Sequence, residues 1–135
     1  MNSVVHFEMP AKDKKRVADF YTNAFGWNMK QMGPEMGDYV LAGTTETDEN
    51  GMIKTPGAIN GGFYAYKDEP GFQYPSVVVA VDDLKESIER VKKEGGEVVG
   101  EPMEIPGIGH FVSIIDTEGN RVGVLQPNPR DAERK

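Results

Sequence analysis

The sequence predicts an α+β fold built from two copies of a strand–helix–strand–strand–strand unit, and three observations predict it. Two helix signals begin at aspartate caps, Asp13 and Asp83, an offset of 70. The same offset lays Ala18 on Ile88, Tyr21 on Val91, Gly26 on Gly96, and the strand VVHFEM on PSVVVAV. After each helix come three apolar segments separated by turn residues. A repeat of this kind buries its apolar face by pairing with its twin, so both copies belong to one domain. That domain is expected over residues 1–127, with module one at 1–66, a linker at 67–74, module two at 75–127 and a charged tail at 128–135.

In chain order, the first strand alternates Val5 and Phe7 with His6 and Glu8, which places the two pairs on opposite faces. The first helix follows Asp13, carries Val17, Phe20, Tyr21, Ala24 and Phe25 at helical spacing, and stops at Gly26. The next three strands are expected at 28–31, 39–43 and 58–66, the last two joined by a long polar connection at 44–57. Its Asp48-Glu49-Asn50-Gly51 lacks the alternating ligands of a calcium loop. In the second copy, Asp83 and Glu86 form a capping box, Leu84, Ile88 and Val91 make one apolar stripe, and Gly95-Gly96 ends the helix. Strands follow at 97–101, 110–116 and 121–126. Within the last of these, Gly123 is anomalous, since a glycine inside a strand costs entropy and packs nothing.

Composition narrows the function. The 135 residues carry a net charge of -7 and no cysteine. This excludes disulfides, thiolate metal sites and thiol nucleophiles, and it fits a cytoplasmic protein. Nucleic acid is not an expected partner, because phosphate backbones are held mostly by lysine and arginine. Neither is a membrane, since no apolar run approaches the roughly 18 residues that span a bilayer. Ser76 and Ser113 lack a nucleophile-elbow context.

The doubled unit, with VHFEMPAKDKKRVADFYTNAFGW in its first copy and DTEGNRVGVLQP at its end, resembles the vicinal oxygen chelate superfamily. That group includes glyoxalase I, extradiol dioxygenases and bleomycin-resistance proteins; the chain is most similar to its glyoxalase-related members. The resemblance implies one curved, cup-shaped mixed sheet with helices outside and a cavity between the modules. It also implies metal ligands on the first and last strand of each module. Here those positions are His6, Ser76, Gly123 and either Gly61 or Gly62. Three of the four offer no metal-binding side chain, so no metal and no other cofactor is expected.

The candidate catalytic residues are His6 and Glu8, a possible acid/base pair on one strand face. The alternative is that His6 only hydrogen-bonds Glu8 or the backbone. The expected ligand cavity comprises His6, Glu8, Gly61, Gly62, Ser76, His110 and Gly123, with His110 carried over the cup mouth by the EIPGIG loop. The glycines are read as clearing volume for ligand or water, or as barrel-bend or bulge residues. The functional expectation is a small-molecule-binding protein, with a small organic molecule as partner. The alternative is a glyoxalase-like lyase or isomerase, or a dioxygenase-related enzyme, using His6 and Glu8 with or without a displaced divalent metal. The resemblance further implies a homodimer.

Overall fold

The structure, a computed structural model, describes residues 1–69 and 71–129. The expected tail falls mainly on 130–135, outside the described residues. The element order is β1 (Val4–Ala11), α1 (Lys14–Phe25), β2 (Asn28–Gln31), a short 3-10 turn (Pro34–Met36), β3 (Val40–Gly43) and β4 (Asn60–Ala65). The second copy follows as β5 (Ser76–Ala80), α2 (Leu84–Lys93), β6 (Glu97–Ile105), β7 (Gly109–Ile115) and β8 (Arg121–Pro127). The α+β architecture and the doubled βαβββ order are those the sequence predicts. No helix among the described residues is long and apolar enough to cross a membrane.

The chain divides into two compact units, His6–Pro75 and a second made of Met1–Val5 with the chain from Ser76 onward. In the first unit the strand order is β2-β3-β4-β1, with β1 and β4 parallel and the others antiparallel. One sheet face packs on α1: Ala18, Val40, Ala42 and Phe63 are buried, with Phe7, Met9, Tyr21 and Trp27 against them. Strand alternation therefore turns His6 and Glu8 to the opposite face. Asp13 caps α1 by accepting from the Arg16 amide, and Gly26 ends it in the left-handed conformation at φ 73°.

The second unit repeats the plan as β5-β8-β7-β6, with β5 and β8 parallel. Here α2 covers a core of Val81, Leu84, Val112 and Val124. Asp83 accepts from the Glu86 amide. Glu86 and Arg90, one turn apart on the exposed face, pair at 2.6 Å. The helix ends two residues before the repeat offset places its stop: Glu94, not Gly96, is the cap, and Gly95 takes positive φ, at 98°. Gly96 is needed for space instead, since a Cβ there would come within 2.8 Å of Val91 Cγ1.

β6 runs on to Ile105, well past the expected end at Glu101, through a register shift between Val99 and Met103 that contains Gly100 at φ 76°. EIPGIG is consequently the tip of a hairpin, with its first and last residues inside strands. His110 is a strand residue paired with Gln126 and Glu104.

Candidate functional site

On the first unit's free sheet face, His6 Nδ1 lies 2.9 Å from the Asn60 carbonyl oxygen. A carbonyl only accepts, so Nδ1 carries the hydrogen and the neutral ring keeps its lone pair on Nε2. The backbone fixes the tautomer that leaves a base available. Asn60 is itself held, its side-chain oxygen accepting from the Thr44 and Thr45 amides at 2.7 and 3.0 Å. Two residues along β1, half-buried Glu8 accepts a hydrogen bond from the Tyr39 hydroxyl at 3.0 Å. Histidine, carboxylate and phenol thus share one face, an arrangement able to move a proton or to hold a polar ligand. Sequence reasoning missed Tyr39; the signal was present in Gly62.

The register explains why. β1 and β4 pair Phe7 with Gly61 and Glu8 with Gly62, so the two adjacent glycines serve opposite faces. Gly61 faces the α1 side, where a Cβ would come within 2.6 Å of the Phe7 ring. Gly62 faces the His6 side, where a Cβ would overlap Cε2, Cζ and the hydroxyl of Tyr39. Of the two positions left open by the sequence, Gly62 is the one that shares a face with His6 and Glu8.

The second unit carries the equivalent feature. Gly123 pairs with Val78 on β5 and Ser113 on β7. A Cβ on Gly123 would stand 2.7 Å from Phe111 Cε2 and 3.1 Å from Val78 Cγ2. The space beside Gly123 is occupied by the protein itself, where ligand or water had been expected. On the same face, Arg121 donates from Nη1 to Ser76 Oγ at 3.2 Å and from Nη2 to Ser113 Oγ at 3.0 Å. His110 is placed elsewhere. Its partner Gln126 accepts from the Leu84 amide at the start of α2 at 2.8 Å, so alternation puts exposed His110 on the α2 side, away from Ser76 and Gly123.

A groove of about 670 Å³ lies in the first unit, where the 44–57 connection leaves the sheet; Asn28, Thr44, Thr45, Lys54 and Asn60 help line it. None of the sequence-predicted site residues does. Among the described residues, no three histidines or carboxylates gather closely enough to hold a metal ion.

The sequence matches the Glyoxalase/Bleomycin resistance protein/Dioxygenase superfamily over residues 3–124. It is 31% identical over 116 residues to a glyoxylase-like domain-containing protein of Didymella fabae, covering 84% of each chain. It is 26% identical over 136 residues to the lactoylglutathione lyase of Salmonella typhimurium, covering 97% of this chain and 96% of that one. Among solved structures it is similar in fold to methylmalonyl-CoA epimerase of Streptomyces coelicolor, with a TM-score of 0.68 at 11% identity over 93% of this chain and 97% of that one. A Vibrio splendidus member of the superfamily superposes with a TM-score of 0.61 at 14% identity, over 95% and 100% of the two chains. With its doubled βαβββ order and a family match across nearly its whole length, the chain belongs to the glyoxalase/bleomycin resistance protein/dioxygenase superfamily.

Proposed function

We propose that the chain is a small-molecule-binding member of this superfamily that works without the usual metal, holding an organic ligand against the sheet face of His6, Glu8 and Tyr39. The observation that carries the reading is the pair of covered glycines. At both closing-strand positions an aromatic ring takes the volume a ligating side chain would need. A divalent metal does not fit these positions chemically. Gly62 and Gly123 offer no donor atom, and the oxygen of Ser76 already accepts from a guanidinium, whose charge repels a cation. Elemental analysis of protein purified without chelators is expected to find no stoichiometric zinc, nickel, manganese or iron. Such a metal bound at His6 overturns the reading.

A second reading, a lyase or isomerase acting through His6 and Glu8, is favoured by the Nε2 lone pair and the Tyr39–Glu8 hydrogen bond. His6→Ala separates the two. An enzyme loses turnover with its fold intact; a binding protein loses ligand affinity and shows no turnover before or after. Ring-nitrogen NMR checks the premise of both, with neutral His6 expected as the Nδ1–H tautomer. The proposed assembly is a homodimer, which sedimentation velocity measures directly.

A further inference from the structure

We infer that Asn50-Gly51 is a site of spontaneous covalent change, where the Asn50 amide is converted through a succinimide to isoaspartate and aspartate, resetting one wall of the groove beside it. The inference goes beyond the small-molecule reading above and holds whichever ligand the chain takes.

The dipeptide Asn-Gly occurs twice, at 50–51 and at 60–61. In it the glycine nitrogen can attack the asparagine side-chain carbonyl, because the glycine has no Cβ to crowd the approach and its backbone turns freely. The Gly51 nitrogen bonds to Asn50 Cγ, the Cγ–Nδ2 bond breaks, and the proton of the glycine nitrogen leaves with the departing ammonia. Water then opens the ring at either carbonyl. One opening returns the ordinary backbone as aspartate; the other leaves isoaspartate, with an extra methylene in the chain. Water is the sole co-reactant.

The two dipeptides are alike in sequence and differ in their surroundings. Ring closure requires the asparagine backbone to rotate until the next nitrogen meets its own side chain. Asn50 and Gly51 are exposed at the tip of a hairpin held by an isolated bridge between Thr47 and Ile53. Gly51 takes φ 79° and its N–H donates to the Asp48 carbonyl at 3.0 Å. Among the described residues, the Asn50 backbone amide donates to Asp48 at 2.8 Å and its side-chain amide is unengaged. The rotation therefore disturbs a few solvent-facing turn bonds, which open at little cost. Asn60 begins β4, which lies between β3 and β1, and Gly61 pairs there with Ala42 and Phe7. The Asn60 side-chain oxygen is held by the Thr44 and Thr45 amides. The same rotation at Asn60 pulls a central strand away from both neighbours.

The consequence reaches the groove. The Lys54 N–H donates to the Glu46 carbonyl at 3.2 Å across the base of the hairpin, and Glu46, Thr47 and Lys54 line the groove. A new carboxylate beside Asp48 and Glu49, or an added methylene in the turn, acts on that wall through a short hairpin.

The test incubates the whole chain at mildly alkaline pH and maps its peptides by mass spectrometry, reading the amide-to-acid mass gain and separating isoaspartate from aspartate by fragmentation. Asn50 is expected to convert about tenfold faster than Asn60 or more, because Asn60 waits on opening of the sheet, and isoaspartate is expected to exceed aspartate. In denaturant the two rates should converge, since both dipeptides then lack structure. Conversion of Asn50 no faster than that of Asn60 in the native chain overturns the inference. A difference that persists in denaturant overturns it too, by assigning the effect to sequence, and acid without isoaspartate rules out the succinimide. Backbone amide NMR of the isoaspartate form is expected to shift Glu46, Thr47 and Lys54; unmoved resonances there overturn the effect on the groove.

Discussion

The two repeats build the same device and equip it differently. In each, a buried glycine on the closing strand seats the ring of an aromatic residue, Tyr39 on Gly62 and Phe111 on Gly123. The positions correspond: Leu41 pairs with Gly62 and Ser113 with Gly123, and each aromatic lies two residues before that partner. What surrounds the ring differs. In the first repeat the ring is a phenol bonded to Glu8, beside a histidine with a basic nitrogen. In the second, Val78 stands at the place of Glu8, Ser76 at the place of His6, and Arg121 supplies the charge. Ring on glycine is thus scaffold, and the chemistry lies in its neighbours.

The largest expected effects test the shared device. Gly62→Ala and Gly123→Ala each force a methyl group into a ring, and overpacking of this kind costs about 1–3 kcal/mol. Gly62→Ala is expected to cost more, because it displaces the Tyr39 hydroxyl from Glu8 as well. Double-mutant cycles measured by denaturant unfolding decide whether the ring is the cause. With Phe111→Ala in place, Gly123→Ala should lose most of its cost; an unchanged cost would mean that backbone freedom, not the ring, requires glycine. The same cycle with Tyr39→Ala applies to Gly62.

The difference between the repeats predicts a smaller, asymmetric effect. Tyr39→Phe removes only the hydroxyl and with it one hydrogen bond to half-buried Glu8, so it should cost about 1 kcal/mol. The Phe111 ring has no hydroxyl to lose, so Phe111→Leu should act through packing alone. Equal stability of Tyr39→Phe and the parent protein would remove the polar distinction between the repeats.

Much of this was legible in the sequence because it is local or periodic. The Asp13 and Asp83 caps, the Gly26 stop and the offset that aligns His6 with Ser76 all follow from short-range patterns, and each is found in its expected place. The Gly95-Gly96 stop was legible, but the offset points to Gly96 as the counterpart of Gly26 while Gly95 takes the positive φ, because an offset carries no information about residues gained or lost at a helix end. Gly61 could not be told from Gly62, since the choice depends on which residue of β1 each one faces, and register is a property of paired strands. Tyr39 and Arg121 were missed for the same reason. Tyr39 meets Glu8 across 31 residues and Arg121 meets Ser76 across 45, separations that no local pattern encodes. His110 was misjudged through β6, whose bulge extends the hairpin and fixes the face on which the ring lies.

The smallest expected effect concerns how each repeat closes its last hairpin. In the first, Asp48 turns the chain within the long connection, accepting from the Asn50 and Met52 amides. In the second, Asp116 closes a five-residue turn, accepting from the Glu118 and Asn120 amides at 2.8 and 2.9 Å and from the Asn120 side chain at 3.0 Å. Those bonds, the Asn120 side chain first, hold the Asp116 carboxyl below its ordinary value. A depressed native value means that the unfolded chain takes up the proton first as pH falls. The stability Asp116 contributes is therefore full above the ordinary carboxylate range and is lost as pH drops through the depressed native value. Because the carboxylate is open to solvent, the contribution is small and screened by salt. Denaturant unfolding of the parent and Asp116→Ala should show the largest gap near neutral pH and converge in acid. A gap that stays constant from neutral pH to acid would assign the turn's stability to its backbone geometry and leave the carboxylate charge without a part in it.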